Sequence, residues 1–113
     1  MSERSEKLNA LIQSEVAVIL EKEMEFPAGT LATVTRVQVS DTVEHARVWI
    51  SVFPPERGEE VLEILNRNIR TLQRGVNARL VLRTVPKLVL KLDQREDRAK
   101  EIGELLDTLP PAP

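Results

Sequence analysis

The chain has 113 residues, 42% of them apolar and 30% charged, with a formal charge of −2 at neutral pH. That length suits one domain of the usual about 100–200 residues, and no apolar run approaches the roughly 20 residues that cross a bilayer. Cysteine is absent, which excludes disulfides, thiolate metal sites and cysteine nucleophiles together.

The opening MSERSEKLNALIQSE mixes acids and bases and lacks the apolar centre of a signal peptide, so a cytoplasmic protein is expected. From Glu3 to Met24, Leu8, Leu11, Ile12, Val16, Ile19 and Leu20 recur at three- and four-residue steps. This is one face of an amphipathic helix, ended by Pro27 and Gly29. In TLATVTRVQVS, Leu31, Thr33, Thr35, Val37 and Val39 alternate with Ala32, Val34, Arg36 and Gln38, and period two with β-branching predicts a strand. HARVWISVF puts Ala46, Val48, Ile50 and Val52 on one face and Arg47, Trp49, Ser51 and Phe53 on the other. The two runs predict an antiparallel hairpin with its aliphatic side inward.

Pro54-Pro55 stops the second strand, and Val61, Leu62, Ile64 and Leu65 form the stripe of a helix whose first turn carries Glu56, Glu59 and Glu60. Ile69, Leu72 and Val76 continue the spacing, but Asn66 and Asn68 interrupt it. Two helical pieces with a break near Asn66–Arg70 are expected, the second ending at Gly75 or Asn77. Leu80, Leu82, Leu88, Leu90 and Leu92 then share one parity around Pro86, which confines that strand to an edge, a bulge or a break. Asp93 and Glu96 have capping-box spacing ahead of Ala99, Ile102, Leu105, Leu106 and Leu109. A terminal helix is expected there, giving a single domain over residues 1–109 with 110–113 as a disordered tail.

Catalytic patterns are missing. His45 with Asp41 and Ser40 stands at a hairpin shoulder without a nucleophile-elbow pattern. Carboxylate pairs such as Glu59/Glu60 read as solvated helix faces, and no phosphate-cradling glycine motif occurs. One histidine and no cysteine make a poor metal site. A protein without enzyme activity, cofactor or metal is expected.

The stretch Ile64–Leu92 is different, because it holds Arg67, Arg70, Arg74, Arg79, Arg83, Lys87 and Lys91 and no Asp or Glu. On a helix, Arg67, Arg70 and Arg74 share a face. On a strand, Arg79, Arg83, Lys87 and Lys91 have one parity, opposite the leucines. Periodicity leaves two readings open, a solvated face paired with acids elsewhere or a surface for a polyanion. Local charge decides between them more than net charge does.

Two segments carry a family resemblance. VTRVQVSDTVEHARVWISV, Val34 to Val52, resembles the first hairpin of the ribosome-binding factor A family, and LRTVPKLVLKLD, Leu82 to Asp93, resembles that family's strand with its internal proline step and closing Asp. The resemblance extends from the first helix to about Leu106. It implies an α+β, type II KH-like fold in the order α-β-β-α-α-β with a C-terminal helix, and a three-stranded mixed sheet packed on helices. It also implies a non-catalytic assembly factor, a monomer when free, that binds the 16S rRNA of the immature small (30S) subunit and assists rRNA processing and late maturation, with ribosomal proteins as further partners.

KH domains grip nucleic acid at a GXXG loop between two helices. The family resembles a kinked pair with an Ala-x-Gly step there, which falls on Asn68-Ile69-Arg70 in this chain. RNA contact is therefore expected from side chains rather than exposed amides: the charges of Arg67, Arg70 and Arg74 with the polar Asn68 at the break, Arg79, Arg83 and Lys87 beyond it, and Arg4 and Lys7 as additional contacts. The alternative is a protein-interaction module that docks on a ribosomal protein or another assembly factor through Trp49 and the acidic terminal helix.

Overall fold

The computed structural model describes residues 3–81 and 85–94, with side chains from residue 5 onward. Helix α1 (Glu3–Glu23) leads into strands β1 (Leu31–Val39) and β2 (His45–Phe53). A 3-10 turn over Pro55–Arg57 precedes helices α2 (Gly58–Arg67) and α3 (Ile69–Arg79), and strand β3 (Lys87–Leu92) follows. The expected order holds from the first helix to the last strand. The terminal helix expected after Asp93 lies outside the described residues, as does Arg83.

The sheet runs β1-β2-β3, with β1 antiparallel and β3 parallel to β2. A parallel return needs a long crossover, and the α2–α3 pair supplies it. The helices lie on one face of the sheet. Ile12, Val16 and Ile19 of α1, Val61 and Leu65 of α2, and Leu72 and Val76 of α3 are fully buried with Ala46, Val48 and Ile50 of β2. Burial in β2 alternates strictly, as the hairpin pattern predicted.

β1 does not keep one parity. Its register slips between Val34 and Arg36, so Ala32 and Val34 face the core before the slip and Val37 and Val39 after it. The extra residue, Thr35, forms a β-bulge, and a bulge places two residues of one strand opposite one of its partner. The unbroken odd-numbered face expected from sequence is thereby corrected. Thr35 donates from Oγ1 to Oδ2 of Asp93 at 2.5 Å, an interaction that crosses from β1 to the end of β3.

The third strand is also shorter than its leucines suggested. Leu80 is the C-terminal cap of α3, bonded through its N–H to Val76 O at 3.0 Å, and pairing with β2 starts at Lys87, after Pro86. α3 itself continues past Gly75 and Asn77 to Arg79. Gly75 does not terminate the helix; it admits α1, since a Cβ there would stand 2.6 Å from Cδ1 of buried Ile19.

Candidate nucleic-acid interface

The helix break sits at Asn68, which caps the end of α2 and the start of α3 with φ −105° and ψ 20°. Leaving helical geometry orphans a carbonyl. Asn68 compensates locally: Nδ2 donates to Ile64 O at 2.8 Å, and its N–H is shared between Ile64 O at 3.2 Å and Leu65 O at 3.1 Å. A short polar side chain that competes for backbone bonds thus holds the kink without the small residues of the Ala-x-Gly step. Ile69 packs against the core next to it, and Arg70 projects to solvent.

The expected basic residues divide into distinct settings. Arg70 and Arg74, one turn apart on α3, are exposed and have no ion-pair partner among the described residues. Arg67 is exposed but donates to Glu63 on its own helix at 3.1 Å. Arg79 has a structural engagement, with Nε on Glu15 Oε2 of α1 at 3.1 Å and Nη1 on Gly75 O at 3.2 Å. Glu15 is thereby the acid of another element that charge counting within the stretch Ile64–Leu92 leaves out.

Lys87 does not continue the track of Arg70 and Arg74. In β3 the side chains of Leu88 and Leu90 are buried toward the helices, so Lys87 and Lys91 leave on the opposite sheet face. Lys7 lies on α1 and is exposed; the side chain of Arg4 is outside the described residues. Among the described residues, positive charge gathers on two surfaces: the α3 side of the kink, with Arg70 and Arg74, and the side of the sheet away from the helices. On the latter, Arg36 and Arg47 join the β3 lysines. These two arginines fall outside the acid-free stretch, and their signal was the alternation that also turns Trp49 outward.

Trp49 is half-buried, and the Arg36 guanidinium lies 3.8 Å from its ring centroid. Among the described residues no group of three or more metal-ligating side chains converges, and no helix is long and apolar enough to cross a membrane.

A helix, a hairpin, a kinked helix pair and a returning parallel strand define a type II KH-like domain, here with an arginine-bearing second helix at the kink. The family model described as Ribosome-binding factor A matches residues 4–106, and the chain belongs to that family. It is similar to ribosome-binding factor A of Akkermansia muciniphila, with 36% identity across 100% of this chain and 93% of the relative. The protein of Protochlamydia amoebophila is 33% identical, across 92% and 81% respectively. The crystal structure of ribosome-binding factor A from Thermus thermophilus shares the fold, with a TM-score of 0.69 at 24% identity over 78% of this chain and 93% of that one. A Thermus thermophilus homology model fitted into a cryo-EM map of a 30S complex aligns with a TM-score of 0.67 at 26% identity, over 77% and 92%.

Proposed function

We propose that this protein is a non-catalytic assembly factor that binds the immature small ribosomal subunit in the cytoplasm, contacts its 16S rRNA and assists rRNA processing and late maturation. The observation that carries the RNA contact is the pair Arg70 and Arg74, two exposed guanidiniums one turn apart beside a helix break, with no acid of the described residues engaging them. Family membership and the 30S complex of a relative support the choice of target. Backbone amides at a GXXG-type step are replaced by Arg70 and by an Asn68 whose amide is spent on Ile64 O, so phosphate contact rests on side-chain charge and positions the RNA without reading its sequence. Arg67 and Arg79 can reach phosphate only by sharing or leaving Glu63 and Glu15.

The test is binding of the full chain to precursor 30S particles against salt. For about three phosphate contacts, a threefold rise in salt lowers affinity about tenfold on single-stranded RNA. R70E/R74E should lose most of the affinity while Tm stays within a few degrees, because both side chains are exposed. Unchanged particle binding in that variant removes this reading of the helix face.

A further inference from the structure

Among the described residues, the helices cover one side of the sheet and leave the other open. Its cross-strand register sets the outward side chains in ranks. Arg36, Trp49 and Lys91 form one rank across the three strands; Gln38, Arg47 and Val89 form the next; His45 stands beside Lys87 in a third. Strands lie about 4.8 Å apart and successive ranks about 7 Å apart. None of these ranks holds a carboxylate. Asp93 and Asp41 lie at opposite ends of the face, the first accepting from Thr35.

Arg47, Lys87 and Lys91 are exposed, and no ion pair among the described residues engages them. A shallow concavity of about 490 Å³ runs over the second rank between Gln38, Arg47, Val89 and Lys91, with Asp41 at its rim. Beside it, Arg36 covers one face of the Trp49 indole. A guanidinium is planar, so a ring can stack on its uncovered side.

We propose that this open face is a second nucleic-acid surface, which takes an unpaired stretch of RNA with a base stacked on the Arg36–Trp49 layer and phosphates at Arg47, Lys87 and Lys91. Charge complementarity selects a polyanion. The stacked layer selects single strands, whose base faces are available, over duplex, whose base faces are hidden. An acidic peptide would meet the cations but offer nothing flat to the guanidinium. The proposal rests on the reading of this chain as an RNA-binding protein, and it adds a surface on the opposite side of the domain from Arg70 and Arg74.

Trp49 is the only tryptophan and there is no tyrosine, so intrinsic emission reports on this face. The experiment titrates the full chain with a single-stranded RNA of about ten nucleotides, within the usual site size of such surfaces, and reads Trp49 fluorescence. Quenching is expected, with affinity falling about tenfold for a threefold rise in salt, as about three phosphate contacts require. R47E/K91E should weaken the RNA by about tenfold or more at unchanged Tm, while R70E/R74E keeps the quench. Absence of any emission change at low salt overturns the proposal, as it would if residues 95–113 of the chain itself occupied the face. An equal response to poly-glutamate overturns it in favour of a protein partner, and loss of the quench in R70E/R74E alone overturns it in favour of the helix face. Failure of the helix-face reading is distinct: R70E/R74E would keep particle binding while the Trp49 signal still responds to RNA.

Discussion

Single side chains close the ends and edges of this fold. β3 is an edge strand, and an unpaired edge exposes N–H and C=O groups that seek another chain. Gln73 of α3 answers both: its Oε1 accepts from Leu88 N at 2.9 Å, and its Nε2 donates to Pro86 O at 3.0 Å and Asn77 Oδ1 at 3.0 Å. At the other edge, Asn9 of α1 accepts from Val39 N at 2.9 Å. Gln73→Leu keeps the bulk but strands a part-buried donor, which costs about 2 kcal/mol, or roughly 10 °C in Tm for a domain of this size. Thermal melting checks it; a variant as stable as the parent would show that water replaces the amide without loss. In the sequence, Gln73 is one polar residue in a basic helix, and its role at the edge is not marked locally, because its partners on the β3 side, Pro86 and Leu88, stand 13 and 15 residues away.

At the scale of elements, α1 and α3 approach closely enough that a methyl group matters. Gly75 faces Ile19, and a Cβ there would fall 2.6 Å from Cδ1 and 3.2 Å from Cγ1 of a side chain with no exposure. Gly75→Ala gains about 1 kcal/mol in helix propensity and loses about 1–3 kcal/mol to overpacking, so a net destabilisation of about 1 kcal/mol is expected. Ile19→Val removes Cδ1 and should restore the G75A variant, although alone it costs about 1 kcal/mol. Denaturant melts of the four proteins give the coupling, and simple additivity would rule out the contact as the cause. The Arg79–Glu15 bridge joins the same two helices, which explains why one member of the basic stretch serves α1 as a tether.

The break between α2 and α3 was legible as two weak helix formers, Asn66 and Asn68. So was the means, since the Asn68 side chain can compete for backbone bonds; the acceptor was not, and the structure shows it to be Ile64 O. The β1 bulge left a trace in the pattern: apolar residues fall on even positions at Ala32 and Val34 and on odd ones at Val37 and Val39, but β-branched Thr35 continues the period-two run and masks the switch. What sets the slip is pairing with β2, where Arg36 falls opposite Trp49, together with the Thr35–Asp93 hydrogen bond across the sheet.

For the whole molecule, a net charge of −2 conceals two basic surfaces on opposite sides. One lies beside the helix break at Arg70 and Arg74, and the other spreads over the open sheet from Arg36 to Lys87. Because the faces share no contacts, their contributions to binding a precursor subunit should be nearly additive, within about 0.5 kcal/mol, when both engage RNA. Combining R70E/R74E with R47E/K91E should therefore multiply the two losses of particle affinity. A combined loss no larger than that of one pair would place all RNA contact on a single face.

The sequence by itself determined the order of elements, the core-facing residues of β2, the helix break and the family, because these rest on local periodicity, turn chemistry and motifs that need no knowledge of distant neighbours. It also located most of the positive charge. Tertiary structure alone decided which charges stay available. Arg79 is drawn to Glu15 from another helix, Lys87 is turned to the far side of the sheet, and Arg36 is brought over Trp49 by a bulge. The physical reason is that a side chain's partners are set by the packing of elements far apart in the chain, and an ion pair or a stacking layer exists only after that packing is made.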